Sequence, residues 1–370
     1  MEPIRLAIAG VGNCASALIQ GLHHYRHASD AEIAGLMHPT VGGYGPTDMR
    51  VVAAFDVDRR KVARPLEDAV FAAPNCARAF EPELPPSGIT VRMGPVLDGI
   101  ADHMADYPED QAFRAAGAEP VDVAAELRAS GAEMLICFLP VGAERAVRHY
   151  AQACLDAGVG LVNCQPVFIA SDPAWAEAFR ARGLPLVGDD IKSQLGATIA
   201  HRALARLFAD RGVNLARTYQ LNTGGNTDFL NMLEGERLHS KRRSKTESVQ
   251  SQLDARLSDA AIHIGPSDHV AWQGDNKVAF IRMEGEGFGG APVELEMRLS
   301  VQDSPNSAGV VIDAARCVKL ALARGMAGPL KAVSAYHMKH PPEQMRDSEA
   351  REAVAAFIRE AGSPVALAGE

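Results

Sequence analysis

The chain has 370 residues, which is too many for one compact core, so two domains are expected. Hydrophobic residues make up 47% of it and charged residues 22%, a composition typical of a globular protein that excludes a disordered one. The formal net charge of -9 disfavours nucleic acid as a partner, and an anionic ligand would need a local cluster of Lys and Arg side chains.

Apolar runs of strand length alternate with helical patterns through the first half of the chain. Residues 26–50 are predicted to be a loop insertion, and 65–120 are mixed, with several prolines. The alternation predicts a parallel sheet with right-handed crossovers. The predicted strands are 4–9, 51–56, 133–140, 159–164 and 184–188, and the predicted helices run from the turn at 10–15 to about Tyr25, from about 142 to 157 and from 175 to 182.

The pattern changes after about residue 210, where a second sheet is predicted from strands at 219–223, 278–283 and 293–301. A polar, basic stretch at 234–256 lies between the first two of these strands. Apolar positions at helical spacing predict a helix over 310–323, which Gly325 ends. A last helix is predicted at about 347–361.

The turn after the first strand has the pattern expected for a dinucleotide-binding site. Gly10 allows a tight turn, Gly12 allows the backbone to approach a pyrophosphate, and Ala15 allows close helix packing. A glycine-rich turn in an unrelated α/β protein is the alternative interpretation. Support comes from Pro140-Val141-Gly142, which follows the third strand at the edge where a cofactor would bind.

Asp56 ends the second strand, where a carboxylate would bind the ribose hydroxyls of the cofactor. It lies 46 residues after Gly10 instead of the usual ~20, and the loop insertion at 26–50 accounts for the excess. An acid at this position favours NAD over NADP, because it would repel a 2′-phosphate.

Two polar segments of the second half are open to two interpretations each. Asp189 and Asp190 follow a buried strand, so they either face the cofactor crevice or cap the next helix. Gly224 and Gly225, flanked by Asn, form either a backbone nest for an anion or an ordinary tight turn.

Lys241-Arg242-Arg243-Ser244-Lys245 is the densest positive charge in this acidic chain. If the segment is helical, Lys241 and Lys245 lie one turn apart on one side and can clamp a phosphate or an oxyanion. A solvated basic face is the alternative interpretation. Further on, Asp303 and Ser304 are expected to cap the predicted helix at 310–323, whereas spacing alone gives Lys277 and Lys339 no role.

The sequence predicts a cytoplasmic protein. No basic region precedes an apolar one at the N-terminus, so no signal peptide is predicted, and the longest apolar run is far shorter than the ~18 residues that span a bilayer. The six cysteines have no C-x-x-C spacing, which disfavours structural zinc and suits a reducing compartment. Neither a membrane nor nucleic acid is expected as a partner.

Six motifs together resemble one family, the inositol-3-phosphate synthases, in their shorter prokaryotic form. The resemblance extends from about residue 3 to residue 345 and is far more specific than the glycine turn. The motifs are Gly-Val-Gly-Asn-Cys-Ala-Ser at 10–16, Ala-Phe-Asp-Val-Asp at 54–58, Gly-Asp-Asp-Ile-Lys-Ser at 188–193, Asn-x-Gly-Gly-Asn-x-Asp at 222–228, Ser-Lys-x-x-Ser-Lys at 240–245 and Asp-Ser-Pro-Asn-Ser-Ala-Gly at 303–309.

The resemblance implies an α/β fold in which a Rossmann dinucleotide-binding domain carries an inserted α/β catalytic and oligomerisation domain. The implied domains are 1–200 for NAD binding, 201–305 for catalysis and tetramer formation, and 306–370 for the return to the Rossmann domain. The implied protein is a homotetramer.

The implied activity is an isomerase that converts D-glucose 6-phosphate into 1D-myo-inositol 3-phosphate. NAD oxidises C5 of the substrate, loss of a C6 proton gives an enolate that attacks the C1 aldehyde, and the same NADH then reduces the ring ketone. Every step after hydride loss develops negative charge on oxygen, which fixed cations stabilise. A conventional NAD-dependent dehydrogenase of a phosphorylated metabolite and a non-catalytic NAD sensor are the alternatives.

The resemblance also implies the site residues. The catalytic residues are Asp190, Asp228, Lys241, Lys245, Lys277, Asp303 and Lys339, and Asn222, Asn226, Lys241 and Lys245 bind the substrate. The cofactor-binding residues are Gly10, Gly12, Asn13, Cys14, Ala15, Asp56, Pro140, Gly142, Asp190 and Ser307. A monovalent or divalent cation is implied as well, with Asp303 as its candidate ligand.

Overall fold

A computed structural model describes residues 2–26 and 33–360 of the protein. Its strands are β1 (Ile4–Ala9), β2 (Met49–Asp56), β3 (Arg92–Met93), β4 (Met134–Cys137), β5 (Gly160–Asn163), β6 (Pro185–Val187), β7 (Asn214–Gly224), β8 (Ile262–His269), β9 (Asn276–Glu286), β10 (Pro292–Gln302) and β11 (Gly328–Pro329). Its helices are α1 (Asn13–His24), α2 (Leu66–Ala69), α3 (Val123–Ser130), α4 (Glu144–Ala157), α5 (Pro173–Ala181), α6 (Ala197–Asp210), α7 (Thr227–Asn231), α8 (His239–Gln250), α9 (Asp303–Ala323), α10 (Lys331–His337) and α11 (Asp347–Arg359).

Seven strands form a parallel sheet in the order β11-β6-β5-β4-β1-β2-β3. The chain moves outward in one direction from β1 to β3 and in the other from β4 to β6. The order therefore reverses between β1 and β4, where a crevice opens at the carboxyl edge of a doubly wound sheet. The α/β class and the Rossmann-like sheet predicted from the sequence are confirmed.

Helices cover both faces of this sheet because its central strands are apolar on both sides. On one face, Leu6 and Ile8 of β1 pack against α1 and α9. On the other, Ala7 and Ala9 pack against α3, α4 and α5. The 21-residue helix α9, from the last third of the chain, is therefore part of the core of the first sheet.

The second sheet has the strand order β10-β9-β7-β8. Strands β7 and β8 are parallel, and the other two pairings are antiparallel. One face of the sheet packs against α6 and α8, with Phe208 and Val249 in the shared core. The opposite face exposes Tyr219, Leu221 and Phe280.

Several element predictions need correction. The helix predicted at 310–323 begins at Asp303, because Pro305 is tolerated in a first helical turn. Strand β7 begins five residues before the predicted 219, and the longest elements without a prediction are α6 and β8. The shorter elements α2, α3, α7, α10, β3 and β11 were not predicted either. The segment Ile-His-Ile-Gly-Pro-Ser-Asp-His of β8 has only two strongly apolar residues, so it carries no strand pattern.

The predicted loop at 26–50 falls partly on residues 27–32, outside the described residues. Its last two residues belong to β2. The predicted domain boundaries at 200/201 and 305/306 fall inside α6 and α9, whereas the strands of the second sheet lie within residues 214–302. Across the part of the chain that the structure describes, no helix is long and apolar enough to cross a membrane.

Candidate active site

A cleft follows the carboxyl edge of the first sheet at its reversal point. Residues of both halves of the chain line it: the turn after β1, the end of β2, the segment after β4, and the starts of α7 and α9. The predicted site residues among its lining are Gly10, Gly12, Asn13, Cys14, Asp56, Pro140, Asn226, Asp228 and Asp303.

The two glycines of the first turn have different structural roles. Gly10 has a φ of 90°, and a Cβ there would lie 2.8 Å from the Phe138 carbonyl oxygen. At Gly12 no atom lies within 4 Å of a Cβ position, so the space above the start of α1 is open. The amide N–H groups of Cys76 and Ala77 donate to Asn13 Oδ1 at 2.7 and 2.9 Å, which fixes the floor of the cleft.

Asp56 lies at the end of β2 in this cleft and is 9% exposed. Its Oδ2 accepts a hydrogen bond from the Val11 N–H at 2.7 Å, and its Oδ1 accepts from the two following backbone N–H groups. The carboxylate therefore ties the glycine turn to β2. It remains at the cleft wall, where the sequence predicts the ribose.

Two buried aspartates follow β6 and have different surroundings. The carboxylate of Asp189 accepts hydrogen bonds from the side chain of Asn163 and from the N–H groups of residues 169–171. It does not cap α6, so the helix-cap interpretation is wrong. Burial raises the pKa of Asp189 to about 6.

Asp190 holds two of the predicted lysines together. The ammonium groups of Lys241 and Lys339 each lie 3.0 Å from its Oδ1, and the Ser244 hydroxyl donates to its Oδ2 at 2.6 Å. Burial works to raise the pKa of this carboxyl, but the two lysines and the serine together hold it well below the ordinary value. Asp190 is therefore an ionised anchor for two cations.

Backbone pairing explains why Lys339 reaches Asp190 across 149 residues of chain. Ile191 and Met338 form an antiparallel bridge. The Lys339 N–H donates to the Asp190 carbonyl at 2.6 Å, and the Lys192 N–H donates to the carbonyl oxygen of His337 at 2.8 Å. This short ladder joins the segment after β6 to the segment after α10.

Lys277 on β9 pairs with Asp303 at 3.2 Å. Close by, Asp275 accepts hydrogen bonds from the Asn226 side chain at 3.0 Å and from the N–H and hydroxyl of Ser304 at 3.0 and 2.7 Å. Asp275 therefore caps α9, and the expectation that Asp303 and Ser304 cap a helix starting at 310 is wrong. Burial, with repulsion from Asp303, raises the pKa of Asp275 to about 6.

Three of the predicted lysines line a second, narrow cavity, which the Lys277–Asp303 ion pair links to the wall of the cleft. These are Lys245, Lys277 and Lys339, and the opposite wall is Ser193 with the first turn of α6. Helix α6 begins without a side-chain cap, so its first N–H groups are available to a ligand. The cavity has the chemistry of an anion site.

The basic segment at 241–245 is helical, and it is not a uniformly solvated face. Arg242 and Arg243 are exposed, whereas Lys245 is buried and Lys241 is largely covered. Burial lowers the pKa of Lys245 well below its ordinary value, and neighbouring lysines lower it further. Burial also lowers the pKa of Lys339, to about 8, although Asp190 opposes the shift. For Lys241 the attraction of Asp190 and other acids outweighs burial, and its pKa is raised.

Other predicted residues lie close to the site without lining either cavity. Ala15 is in the core beneath the turn, and a Cβ at Gly142 would collide with the side chain of Arg237. Ser307 lies 3.5 Å from the sulfur of Cys14, whose thiol pKa burial raises to about 12. Asn222 is buried, and its Oδ1 accepts a hydrogen bond from Gln220 at 3.1 Å.

The glycine pair at 224–225 is neither a tight turn nor an anion nest, because Gly224 ends β7 and Gly225 follows it in extended contact with another segment. The Gly225 N–H donates to the carbonyl of Gly274 at 2.9 Å, and a Cβ on Gly225 would lie 2.4 Å from the carbonyl oxygen of Val270. Asp303, the predicted cation ligand, pairs with Lys277. Within 2–26 and 33–360, no group of three or more His, Cys, Asp or Glu side chains could hold a metal ion.

Sequence patterns did not identify Ser193, Ser244 or Asp275 as individual site residues. Ser193 and Ser244 lie inside motifs that carried the family resemblance, and that was the available signal. Asp275 precedes a strand in a polar loop, and nothing in its spacing indicates that it faces α9.

Comparisons with known proteins give one consistent result. The family model described as myo-inositol-1-phosphate synthase matches residues 196–304. An inositol-3-phosphate synthase of Mycolicibacterium smegmatis is 53% identical over 360 residues, covering 96% of this chain and 98% of that protein. One from Corynebacterium glutamicum is also 53% identical, covering 97% and 99%. One from Mycobacterium tuberculosis H37Rv is 52% identical, covering 96% and 95%.

Solved structures share the fold over most of the chain. The crystal structure of Ari2 is 37% identical and covers 96% of this chain and 99% of its own, with a TM-score of 0.76. A myo-inositol-1-phosphate synthase-related protein from Thermotoga maritima is 24% identical, covers 96% and 98%, and has a TM-score of 0.79. At that identity the likeness supports the fold alone.

Proposed function

The chain belongs to the inositol-3-phosphate (myo-inositol-1-phosphate) synthase family, and on that premise we propose that it is an isomerase converting D-glucose 6-phosphate into 1D-myo-inositol 3-phosphate. One observation carries the proposal for this chain: four buried or largely buried lysines converge at the end of a dinucleotide cleft. A dehydrogenase that only removes a hydride has no need of so many cations. An aldol ring closure, which places charge on several oxygens, does need them.

The residues of the cleft fit NAD. The open space at Gly12 accommodates a pyrophosphate at the start of α1, and Asp56 lies where a ribose would bind. The cations that follow Asp56 in sequence, Arg59 and Arg60, are already engaged in ion pairs with acidic side chains, which disfavours a 2′-phosphate. When bound, NAD supplies the hydride acceptor for the oxidation and the hydride donor for the final reduction.

The substrate's phosphate belongs in the second cavity. Lys245 and Lys277 line one side, and the uncapped start of α6 lines the other together with Ser193. A phosphate there would accept backbone N–H bonds and face two amines. Anchoring one end of the sugar holds its reacting carbons toward the cleft, which converts ring closure into a well-oriented intramolecular step.

Lys241 and Lys339 are suited to the developing charge on oxygen. Asp190 fixes both ammonium groups within 3.0 Å of one carboxylate oxygen, so little reorganisation is needed when charge appears. One such fixed donor contributes about 3 kcal/mol to the stabilisation of the transition state. The pKa of Lys339, near 8, also allows it to accept and return a proton at physiological pH. The proposal assigns no step to a bound inorganic cation, because Asp303, its candidate ligand, is paired with Lys277.

The test is turnover with limiting cofactor. Purified protein is given labelled glucose 6-phosphate and NAD at a small fraction of the substrate concentration, and the product is identified by NMR. We expect inositol phosphate in large excess over the NAD supplied, with no net NADH absorbance, because the hydride is returned in every cycle.

Two outcomes would contradict the proposal. A conventional dehydrogenase would form NADH in step with product and stop when the NAD is consumed. An NAD-sensing regulator would bind the cofactor and turn over no sugar phosphate.

We further propose a cytoplasmic homotetramer. All six cysteines lie in described parts of the chain and all are free thiols, as a reducing compartment would keep them. The exposed face of the second sheet, with Tyr219, Leu221 and Phe280, offers an apolar surface for subunit contact. Within this proposal, the predicted segments 1–200 and 306–370 form the NAD-binding part and 201–305 the catalytic and oligomerisation part.

A further inference from the structure

Lys245 differs from the other lysines of the site because it has no anionic partner. Lys241 and Lys339 share the carboxylate of Asp190. Lys277 pairs with a second carboxylate at 3.2 Å. The Lys245 side chain forms no hydrogen bond or ion pair with any described residue, although it is only 5% exposed.

The charged groups that face Lys245 come from four parts of the fold. Lys241 precedes it by one turn on α8, Lys277 lies on β9, Lys339 follows α10, and Asp190 follows β6. Three of these four groups are cations. An ammonium on Lys245 would therefore be buried, unpaired and repelled, and each of these conditions disfavours the charged form.

The cavity beside Lys245 is built for a charge of the opposite sign. The first turn of α6 lines it without a side-chain cap, and the helix dipole adds positive potential there. A doubly charged oxyanion in this cavity would lie against Lys245 and Lys277. Its arrival would replace a repulsive surrounding with an attractive one and favour the ammonium form of Lys245.

We infer that Lys245 is an uncharged amine in the empty protein, and that a phosphate dianion enters the cavity together with one proton, which binds to the Lys245 Nζ atom. The inference rests on the proposed function only in taking the physiological ligand to be a phosphate monoester. The proton comes from solvent and returns to it when the anion leaves. The site therefore selects oxyanions with two charges, because a neutral sugar cannot stabilise the new ammonium group.

The direction of the pKa shift agrees with this geometry. Burial is the larger cause of the lowered pKa of Lys245, and the neighbouring lysines add to it. When a group has a lower pKa in the free protein than in the complex, binding takes up protons, and affinity falls as pH rises between the two values.

Sulfate is the probe, because it remains a dianion from neutral to alkaline pH. Any proton taken up when it binds therefore goes to the protein and not to the anion. Calorimetric titration with sulfate at about pH 7, where Lys339 already carries its proton, measures the protons taken up per anion bound when it is done in two buffers of different ionisation enthalpy. We expect close to one proton per sulfate. We also expect sulfate affinity to fall by about tenfold per pH unit above neutrality.

Lys245→Arg assigns the proton to this side chain, because a guanidinium remains charged in either state. At pH 7 the variant should bind sulfate without proton uptake, and its affinity should change little with pH below the pKa of Lys339. Lys331→Arg, at an exposed lysine on α10, is the matched control and should behave as the wild type does.

Three results would overturn the inference. They are sulfate binding by the wild type without proton uptake, uptake that persists in Lys245→Arg, and failure of the wild type to bind sulfate at all. If Lys245→Arg does not fold, the pH dependence of sulfate affinity in the wild type decides alone, and a flat profile overturns the inference. Turnover is a separate measurement: proton uptake on sulfate without formation of inositol phosphate would contradict only the proposed function.

Discussion

The carboxylate of Asp190 is completely buried, and its charge is balanced by two lysines and a serine instead of by water. Burial alone would raise its pKa, yet the net shift is downward, so attraction to Lys241 and Lys339 exceeds the cost of desolvation. A carboxyl group that stays ionised at every physiological pH is a poor proton donor. In the proposed reaction Asp190 therefore positions cations and leaves proton transfer to Lys339.

Replacing Lys277 or Asp56 should affect different steps. Lys277→Ala removes a cation beside the substrate and should lower kcat by about 10²-fold or more, with NAD affinity nearly unchanged. Asp56→Ala should instead weaken NAD binding, because it removes the carboxylate from the ribose end of the cleft. Product formation and calorimetric NAD titration measure the two effects. Near-normal kcat for the first variant, or unchanged cofactor affinity for the second, would contradict the assigned roles.

Spacing in the sequence predicted the relative positions of some candidate site residues and not of others. Lys241 and Lys245 are four residues apart, so a helix puts them on one side, and the structure has that helix. Lys277 and Lys339 lie on separate elements that meet only in the folded chain, and the resemblance alone indicated them. Asp275 was not predicted, because its position against α9 depends on a loop crossing that no local pattern encodes.

Helices α6 and α8 meet the start of α11 and the residues just before it at one buried guanidinium. Arg202 of α6 is fully buried, donates to the carboxylate of Asp347 at 2.9 and 3.1 Å, and donates to the carbonyl of Ser248 at 2.6 Å. A further bond reaches the carbonyl of Met345 at 2.9 Å. One planar group thus joins three elements, and a Lys in its place has too few donors to do so.

Arg202→Met should destabilise the protein strongly, because it leaves buried carbonyl groups and a carboxylate without their donor. Breaking a buried pair in this way costs about 3–5 kcal/mol, which should appear as a lower Tm in a thermal unfolding scan. Arg206→Met, one turn later on α6, is the matched control, since Arg206 pairs with acidic side chains at the surface. Equal Tm values for the two variants would show that the buried guanidinium does not hold these elements together.

Elements with a strong apolar pattern were predicted well, and polar ones were not. Strand β1 and helix α4 agree closely with their predictions because their apolar positions face a fixed core. Helix α9 begins at Asp303, where Ser-Pro-Asn-Ser looks like a loop, because the carboxylate of Asp275 accepts from the Ser304 N–H. Such a cap is supplied from another part of the chain, so the local sequence does not reveal it.

At the scale of the whole molecule, the first sheet supplies the cleft proposed for the cofactor, and the rest of the chain supplies the lysines. Lys277 comes from the second sheet and Lys339 from the segment that returns to the first, and both line the cavity beside the cleft. The sequence predicted that these halves meet. It could not predict the ladder between Ile191 and Met338 that brings them together, because a two-residue bridge has no sequence signature.

The exposed face of the second sheet should be a subunit interface. Leu221 and Phe280 lie opposite each other on β7 and β9, 42% and 43% exposed, with Tyr219 beside them, and burial of such a patch favours association. Leu221→Lys should therefore reduce the mass measured by light scattering from that of a tetramer to that of a smaller species, while NAD binding persists because the cleft lies in the first sheet. Phe288→Lys, at a fully exposed turn, is the control and should keep the tetramer mass. A tetramer that survives Leu221→Lys would place the interface elsewhere, and a wild-type monomer would end the proposal of a tetramer.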